Sequence, residues 1–88
     1  MVKGKVVVSN PSGLHLRPAS ILCRDAMRFK SKISFKTGNT IANAKSVLSV
    51  LGACVQCGDE IELICQGTDE NEALKFLIEE ISNGLVEE

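Results

Sequence analysis

Hydrophobic and polar residues alternate over several short stretches of the chain, and this period of two predicts half-buried β-strands. A β-branched stretch that starts near residue 2 and runs to residue 9 predicts the first strand. Three more strands are predicted over Lys32–Thr37, Thr40–Asn43 and Glu60–Gln66. Gly38 and Asn39 form a hairpin signal between the second and third strands.

Over residues 16–28 the apolar residues recur at helical spacing instead, and this pattern predicts an amphipathic helix. Its apolar stripe at helical spacing consists of Ala19, Leu22, Cys23, Ala26 and Phe29. We expect Arg24, Asp25 and Arg28 to face away from this stripe. Ile21 lies off the stripe, so we expect it to be partly exposed.

Two further helices are predicted. Ser46 is a good N-cap for a short helix over residues 47–53, although the valines in this stretch are also compatible with a strand. The last helix is predicted to open near Asp69, with Glu72 placed for a capping box and Gly84 as its C-terminal stop. Its predicted buried stripe consists of Leu74, Leu77, Ile78, Ile81 and Leu85.

The resulting order, β-α-β-β-α-β-α, predicts an α+β fold in one domain over residues 1–88. A mostly antiparallel four-stranded sheet with helices on one face would bury the apolar positions of both element types.

Charge and composition exclude some functions. The chain has 10 basic and 11 acidic residues, and it lacks Trp and Tyr, so we expect no nucleic-acid partner. The longest mostly apolar run, residues 47–55, is far shorter than the roughly 20 residues that span a bilayer. The N-terminal segment lacks the features of a signal peptide. We therefore expect a cytoplasmic protein without membrane insertion.

The four cysteines do not indicate a disulfide framework, because a reduced compartment is expected. Cys23 and Cys65 fall in apolar patterns that predict small core residues. Cys54 and Cys57 have a C-x-x-C spacing, which occurs in both redox sites and zinc sites. No second ligand pair accompanies them, and a redox pair normally opens a helix. We interpret this pair as incidental and expect neither a metal nor a cofactor.

The candidate chemistry lies in the segment NPSGLHLRPAS over residues 10–20, which contains the only histidine, His15. A turn ends there, and Pro18 is of the type tolerated in the first turn of a helix. His15 is therefore predicted at or just before a helix N-terminus, where backbone N–H groups and Arg17 favour a doubly charged anion. Our hypothesis is that His15 carries a phosphoryl group and that Arg17 helps to hold it. The alternative is an ordinary surface or capping histidine.

Two segments and the element order resemble a known family. GLHLRPAS around His15, NAKSVLSVL around Ser46 and the chain length are similar to the histidine-containing phosphocarrier (HPr) family of the bacterial sugar phosphotransferase system. The resemblance covers essentially the whole chain. It implies an open-faced β-sandwich of four antiparallel strands with three helices on one face.

The resemblance also implies a function, that of a carrier and not an enzyme. His15 would accept a phosphoryl group from enzyme I, charged by phosphoenolpyruvate, and donate it to a sugar-specific enzyme IIA. Arg17 matches the second member of the active-site pair. Ser46 matches a serine that an ATP-dependent HPr kinase/phosphorylase modifies in many members, although a serine at a helix start usually only caps.

Further residues match the family's partner-docking face, although the three from the second helix could instead belong to the core. They are Leu16, Ser20, Arg24, Val47, Leu48 and Leu51. The chain departs from the family pattern at Leu16, where alanine is common, and at Ser49 and Cys54, where glycine is frequent.

Two other functions remain open. The chain could be a regulatory HPr-like binding protein that is phosphorylated at Ser46 and docks on a catabolite-control transcription factor. Known regulatory relatives lack the histidine, so His15 weighs against a purely regulatory role. A carrier in a nitrogen-related phosphorelay is the other alternative. We expect the protein to be a monomer.

Overall fold

A four-stranded antiparallel sheet is the frame of the molecule, and the computed structural model describes residues 1–86. The strands are β1 (Val2–Val7), β2 (Lys32–Thr37), β3 (Thr40–Asn43) and β4 (Glu60–Gln66). The helices are α1 (Leu16–Ala26), α2 (Val47–Gly52) and α3 (Glu70–Ser82). The strand order is β1-β4-β2-β3, so both predicted hairpin strands lie on one side of β4. The predicted α+β open-faced sandwich is confirmed.

The strand register separates the two faces of the sheet. Val6 lies opposite Ile61, and Phe35 lies opposite Leu63, so apolar side chains from neighbouring strands meet on the face that the helices cover. On the other face Glu62 lies between Lys5 of β1 and Lys36 of β2. Cross-strand neighbours of opposite charge are compatible with a solvent-facing surface.

β1 and α3 pack closely because β1 contains a glycine. A Cβ atom at Gly4 would lie 2.7 Å from Cδ1 of Ile78. α3 buries Ala73, Leu77 and Ile81 against the sheet, and Leu85 is buried beyond its end. Two members of the predicted stripe, Leu74 and Ile78, are only partly buried.

Two expectations for α1 are wrong. Ile21 is 5% exposed and Asp25 is 2% exposed, whereas the sequence predicted that both would be accessible to solvent. The reason is that α1 packs against both α2 and α3, so its buried sector is wider than a single apolar stripe. Arg24 and Arg28 are exposed as predicted, and the helix ends at Ala26, two residues earlier than expected.

α2 is a helix and not a strand, and Ser46 caps it. The backbone N–H of Ser49 donates to Oγ of Ser46 at 3.2 Å. The N-cap prediction is thereby confirmed, and the helix ends at Gly52, one residue earlier than predicted.

The predicted capping box of α3 is wrong. Asp69 is the N-cap residue, but its carboxylate makes no capping hydrogen bond. It accepts hydrogen bonds from the backbone N–H groups of Lys30, at 2.8 Å, and Ser31, at 2.9 Å, and from the Ser31 hydroxyl. The carboxylate therefore ties the start of α3 to the segment before β2.

These hydrogen bonds predict a loss of stability in acid. The Ser31 hydroxyl and then the Lys30 and Ser31 N–H groups hold the pKa of Asp69 below its usual value. Because the folded-state pKa is lowered, the contribution is present above about pH 4, the unfolded value, and is lost as pH falls through the folded value. We expect Asp69→Asn to melt at a lower temperature at pH 7 and to show a weaker acid dependence. Thermal unfolding at several pH values tests this, and an unchanged acid dependence would contradict it.

Candidate functional site

His15 is the N-cap residue that directly precedes α1, and its side chain does not take part in capping. Its backbone is extended, with φ −76° and ψ −169°, and its carbonyl oxygen accepts the N–H of Ala19 at 2.8 Å. The imidazole is exposed and makes no capping hydrogen bond. The predicted position of His15 at the helix start is confirmed, and its ring is available to solvent.

The first turn of α1 favours an anion. Within residues 1–86, the backbone N–H groups of Leu16 and Arg17 donate to no acceptor, and Pro18 has no N–H to offer. This first turn also contains no acidic residue. The positive end of the helix dipole is therefore not neutralised by a side chain of the same turn, which suits a bound anion beside the imidazole.

Two arginines share a surface depression with His15. The depression has a volume of about 570 Å³ and is lined by His15, Leu16, Arg17, Ser20, Ile21 and Arg24. Arg17 and Arg24 are exposed, so their guanidinium groups can reach a molecule that approaches the imidazole. The structure thus brings together four of the predicted docking and phosphate-binding residues around His15.

A second depression lies on the other side of His15. It has a volume of about 640 Å³ and is lined by Ser12, Leu14, His15, Leu16, Leu51, Cys54, Val55 and Gln56. His15 and Leu16 line both depressions, and Leu16 is 58% exposed. These two side chains therefore form the boundary between the depressions.

The remaining predicted docking residues lie on α2. Leu48 is 83% exposed, whereas Val47 and Leu51 are partly buried against the core. Val47 and Leu48 line neither depression. Five residues of helix advance by about 7.5 Å, which is the distance along the axis from Ser46 to Leu51. Ser46 therefore lies at the opposite end of α2 from Leu51, where its Oγ serves as the cap.

The loop before His15 rests on a segment that is distant in sequence. Gly13 has φ +65°, and its N–H donates to the Asn10 carbonyl at 2.8 Å. The N–H of Leu14 then donates to the carbonyl of Val55 at 3.0 Å. A Cβ atom at Gly13 would overlap that same carbonyl oxygen. Sequence reasoning found the turn but not this contact, because no local pattern indicates Val55 as its partner.

The cysteines fall into two environments. Cys23 and Cys65 are buried, as predicted, and burial raises the pKa of both thiols. Cys54 and Cys57 are exposed and free. Cys54 has φ +54°, a left-handed conformation that favours glycine.

Within the described residues, no group of three or more histidine, cysteine and acidic side chains is arranged to hold a metal ion. The helices in this part of the chain are also too short or too polar to cross a membrane.

Comparison with known proteins identifies the family. The family model described as the PTS HPr component phosphorylation site matches residues 2–83. The chain belongs to the HPr family. Phosphocarrier protein HPr of Treponema pallidum is 39% identical over 88 residues, which cover all of both chains. The HPr-like protein Crh of Bacillus subtilis is 40% identical over 77 residues, covering 88% of this chain and 91% of Crh.

A solved HPr structure has the same fold. HPr-C-His from Thermoanaerobacter tengcongensis superposes with a TM-score of 0.94 at 34% identity, covering 100% of this chain and 99% of that one. The predicted family and fold are therefore confirmed. HPr proteins are phosphocarriers of the phosphotransferase system and interact with its components, so this chain is a member of a carrier family.

The contact beneath the His15 loop predicts an unequal effect of two glycine substitutions. Gly13 and Gly38 both have positive φ, +65° and +58°, but a Cβ atom at Gly38 would meet nothing within 4 Å. We expect Gly38→Ala to lower the free energy of unfolding by about 1–2 kcal/mol, the cost of the left-handed conformation. Gly13→Ala should exceed this loss by at least about 1 kcal/mol because it also displaces Val55. Urea unfolding measures both, and equal losses would contradict the role of Gly13.

Proposed function

We propose that this HPr-family protein relays a phosphoryl group through His15. Enzyme I, charged by phosphoenolpyruvate, is the donor, and a sugar-specific enzyme IIA is the acceptor. The observation that carries the proposal is the exposed imidazole of His15 at an uncapped helix start, beside Arg17, within the region that matches the family model. The protein is a covalently modified carrier and not an enzyme with its own turnover.

The chemistry requires a nucleophile and groups that stabilise the negative charge of the phosphoryl oxygens. A ring nitrogen of His15 attacks the phosphorus, a P–N bond forms, and the bond from phosphorus to the donor breaks. The reverse exchange with the acceptor restores the free imidazole. The N–H groups of Leu16 and Arg17 would be available to phosphoryl oxygens, and the Arg17 guanidinium offers a bidentate fork. Positioning and charge stabilisation of this kind dominate phosphoryl transfer.

Donor and acceptor would dock on the surface around His15. Support comes from Leu16 and Leu48, which are large apolar residues at 58% and 83% exposure, because exposed apolar side chains mark contact surfaces. Ser20, Arg24, Val47 and Leu51 complete the proposed face. A carrier must release its partners quickly, so we expect each interface to bury less than about 1,200 Å². That the carrier acts as a monomer stays a prediction.

A labelling experiment tests the carrier function. The protein is incubated with enzyme I and radiolabelled phosphoenolpyruvate, and acid-labile label on the protein is measured. We expect label on the wild type and none on His15→Ala, because the nucleophile is absent. Label on folded His15→Ala would contradict the proposal.

Two arginine variants serve as matched comparisons in the same assay. Arg17→Ala should slow labelling by about a hundredfold, the typical effect of removing a donor that stabilises developing charge. Arg17→Lys keeps the charge but loses the fork, so its rate should fall between those of the alanine variant and the wild type. Circular dichroism confirms the fold of each variant, and unchanged rates would show that Arg17 does not act on the phosphate.

A second function is proposed for Ser46, namely phosphorylation by an ATP-dependent HPr kinase/phosphorylase. The similarity to Crh, which is a Bacillus subtilis catabolite repression HPr, favours a regulatory role. A phosphate on Ser46 would add a charge of about −2 next to the apolar residues of α2, weakening one set of contacts and creating another. The modified protein would then dock on a catabolite-control transcription factor.

Substitution of Ser46 separates its capping and phosphorylation roles. Ser46→Ala removes both and should cost about 1 kcal/mol of stability, whereas Ser46→Asn retains a good N-cap but cannot accept phosphate. We expect ATP and the serine kinase to place acid-stable label on the wild type and on Ser49→Ala, and none on Ser46→Asn. Equal label on Ser46→Asn would show that Ser46 is not the modified residue.

A further inference from the structure

Two exposed thiols remain outside the proposed relay. Cys54 and Cys57 lie three residues apart in the connection between α2 and β4, and both are free. The Cys54 thiol donates to the carbonyl of Gly52 at 3.6 Å, and the Cys57 thiol donates to the carbonyl of Ser9 at 3.7 Å. These are weak interactions, so they do not hold either sulfur firmly in place.

The residues between the two cysteines support the His15 loop. The Val55 carbonyl accepts the N–H of Leu14, and the Val55 side chain is buried. Gly13 packs directly on Val55 and Gln56. Any rearrangement between Cys54 and Cys57 must therefore act on the contact that positions the residue next to His15.

We propose that Cys54 and Cys57 form a peroxide-sensitive dithiol whose closure to an intramolecular disulfide displaces the support of the His15 loop. One thiol attacks hydrogen peroxide, giving a sulfenic acid and water. The other thiol attacks that sulfur, the S–S bond forms, and a second water leaves. Two thiols are oxidised by two electrons, and the peroxide is reduced to two waters. The consequence for phosphoryl transfer rests on the proposed function.

Geometry links closure of the disulfide to the loop. A disulfide needs Cα atoms about 4.4–6.8 Å apart, whereas three extended residue steps span about 10 Å. No turn has Val55 and Gln56 as its central residues, because the turn in this segment starts at Gln56, whose carbonyl oxygen accepts the N–H of Asp59 at 3.0 Å. Closing the bridge requires the backbone to fold at these two residues, in competition with the Leu14–Val55 hydrogen bond.

The other thiols are poor competitors for peroxide. Cys23 and Cys65 are shielded in the core, at 6% and 0% exposure. Burial raises the pKa of each thiol, which lowers the fraction of reactive thiolate at neutral pH. Mild oxidation should therefore act on the exposed pair first.

The test uses the full-length protein treated with hydrogen peroxide, then alkylated and analysed by mass spectrometry. We expect the peptide that contains Cys54 and Cys57 to become two hydrogens lighter and to resist alkylation. Amide hydrogen exchange at Leu14 should accelerate on oxidation. Labelling by enzyme I and phosphoenolpyruvate should slow by roughly tenfold or more and recover with dithiothreitol, because misplacement of a reacting group is costly. Cys54→Ser and Cys57→Ser, each compared with its own untreated sample, should show none of these changes.

Several outcomes would overturn the proposal. They are failure of the disulfide to form, formation of intermolecular disulfides alone, and a disulfide that leaves both Leu14 exchange and labelling unchanged. If the reduced protein is not labelled at all, the relay proposal fails, while mass and hydrogen exchange still decide whether the dithiol closes and moves the loop.

Discussion

The candidate site depends on one close approach between two backbone segments. Gly13 and Leu14 lie against Val55 and Gln56, joined by a hydrogen bond of 3.0 Å, and only a residue without a Cβ fits at Gly13. This contact joins the loop between β1 and α1 to the segment between α2 and β4. The position of His15 is consequently set by residues about forty positions further along the chain, and not by its own helix alone.

Local sequence patterns were sufficient to predict much of the fold. The bounds of β2, β3 and β4 agree with the prediction, because alternation and turn residues define these strands within the sequence itself. β1 ends at Val7, earlier than predicted, yet Val8 continues to pair through backbone hydrogen bonds with Gly58 and Asp59. The helix start at His15 was also predictable, since Pro18 and the preceding turn are local features.

Features that depend on tertiary partners could not be predicted. Asp69 has the sequence context of a capping residue, but Lys30 and Ser31 compete for its carboxylate in the folded protein. Ile21 and Asp25 are buried because α1 has neighbours on more than one side. Val55 supports the His15 loop through its carbonyl group, which every residue possesses, so no residue type could have revealed it.

His15 and Leu16 line both depressions of the site, and this has a kinetic consequence. If one imidazole serves both exchanges, its two protein partners must bind overlapping surfaces around His15. They then cannot be bound at the same time. The charged carrier must diffuse away from one before it meets the next. Flux through such a shuttle is governed by dissociation and encounter, which favours brief, low-affinity complexes over tight ones.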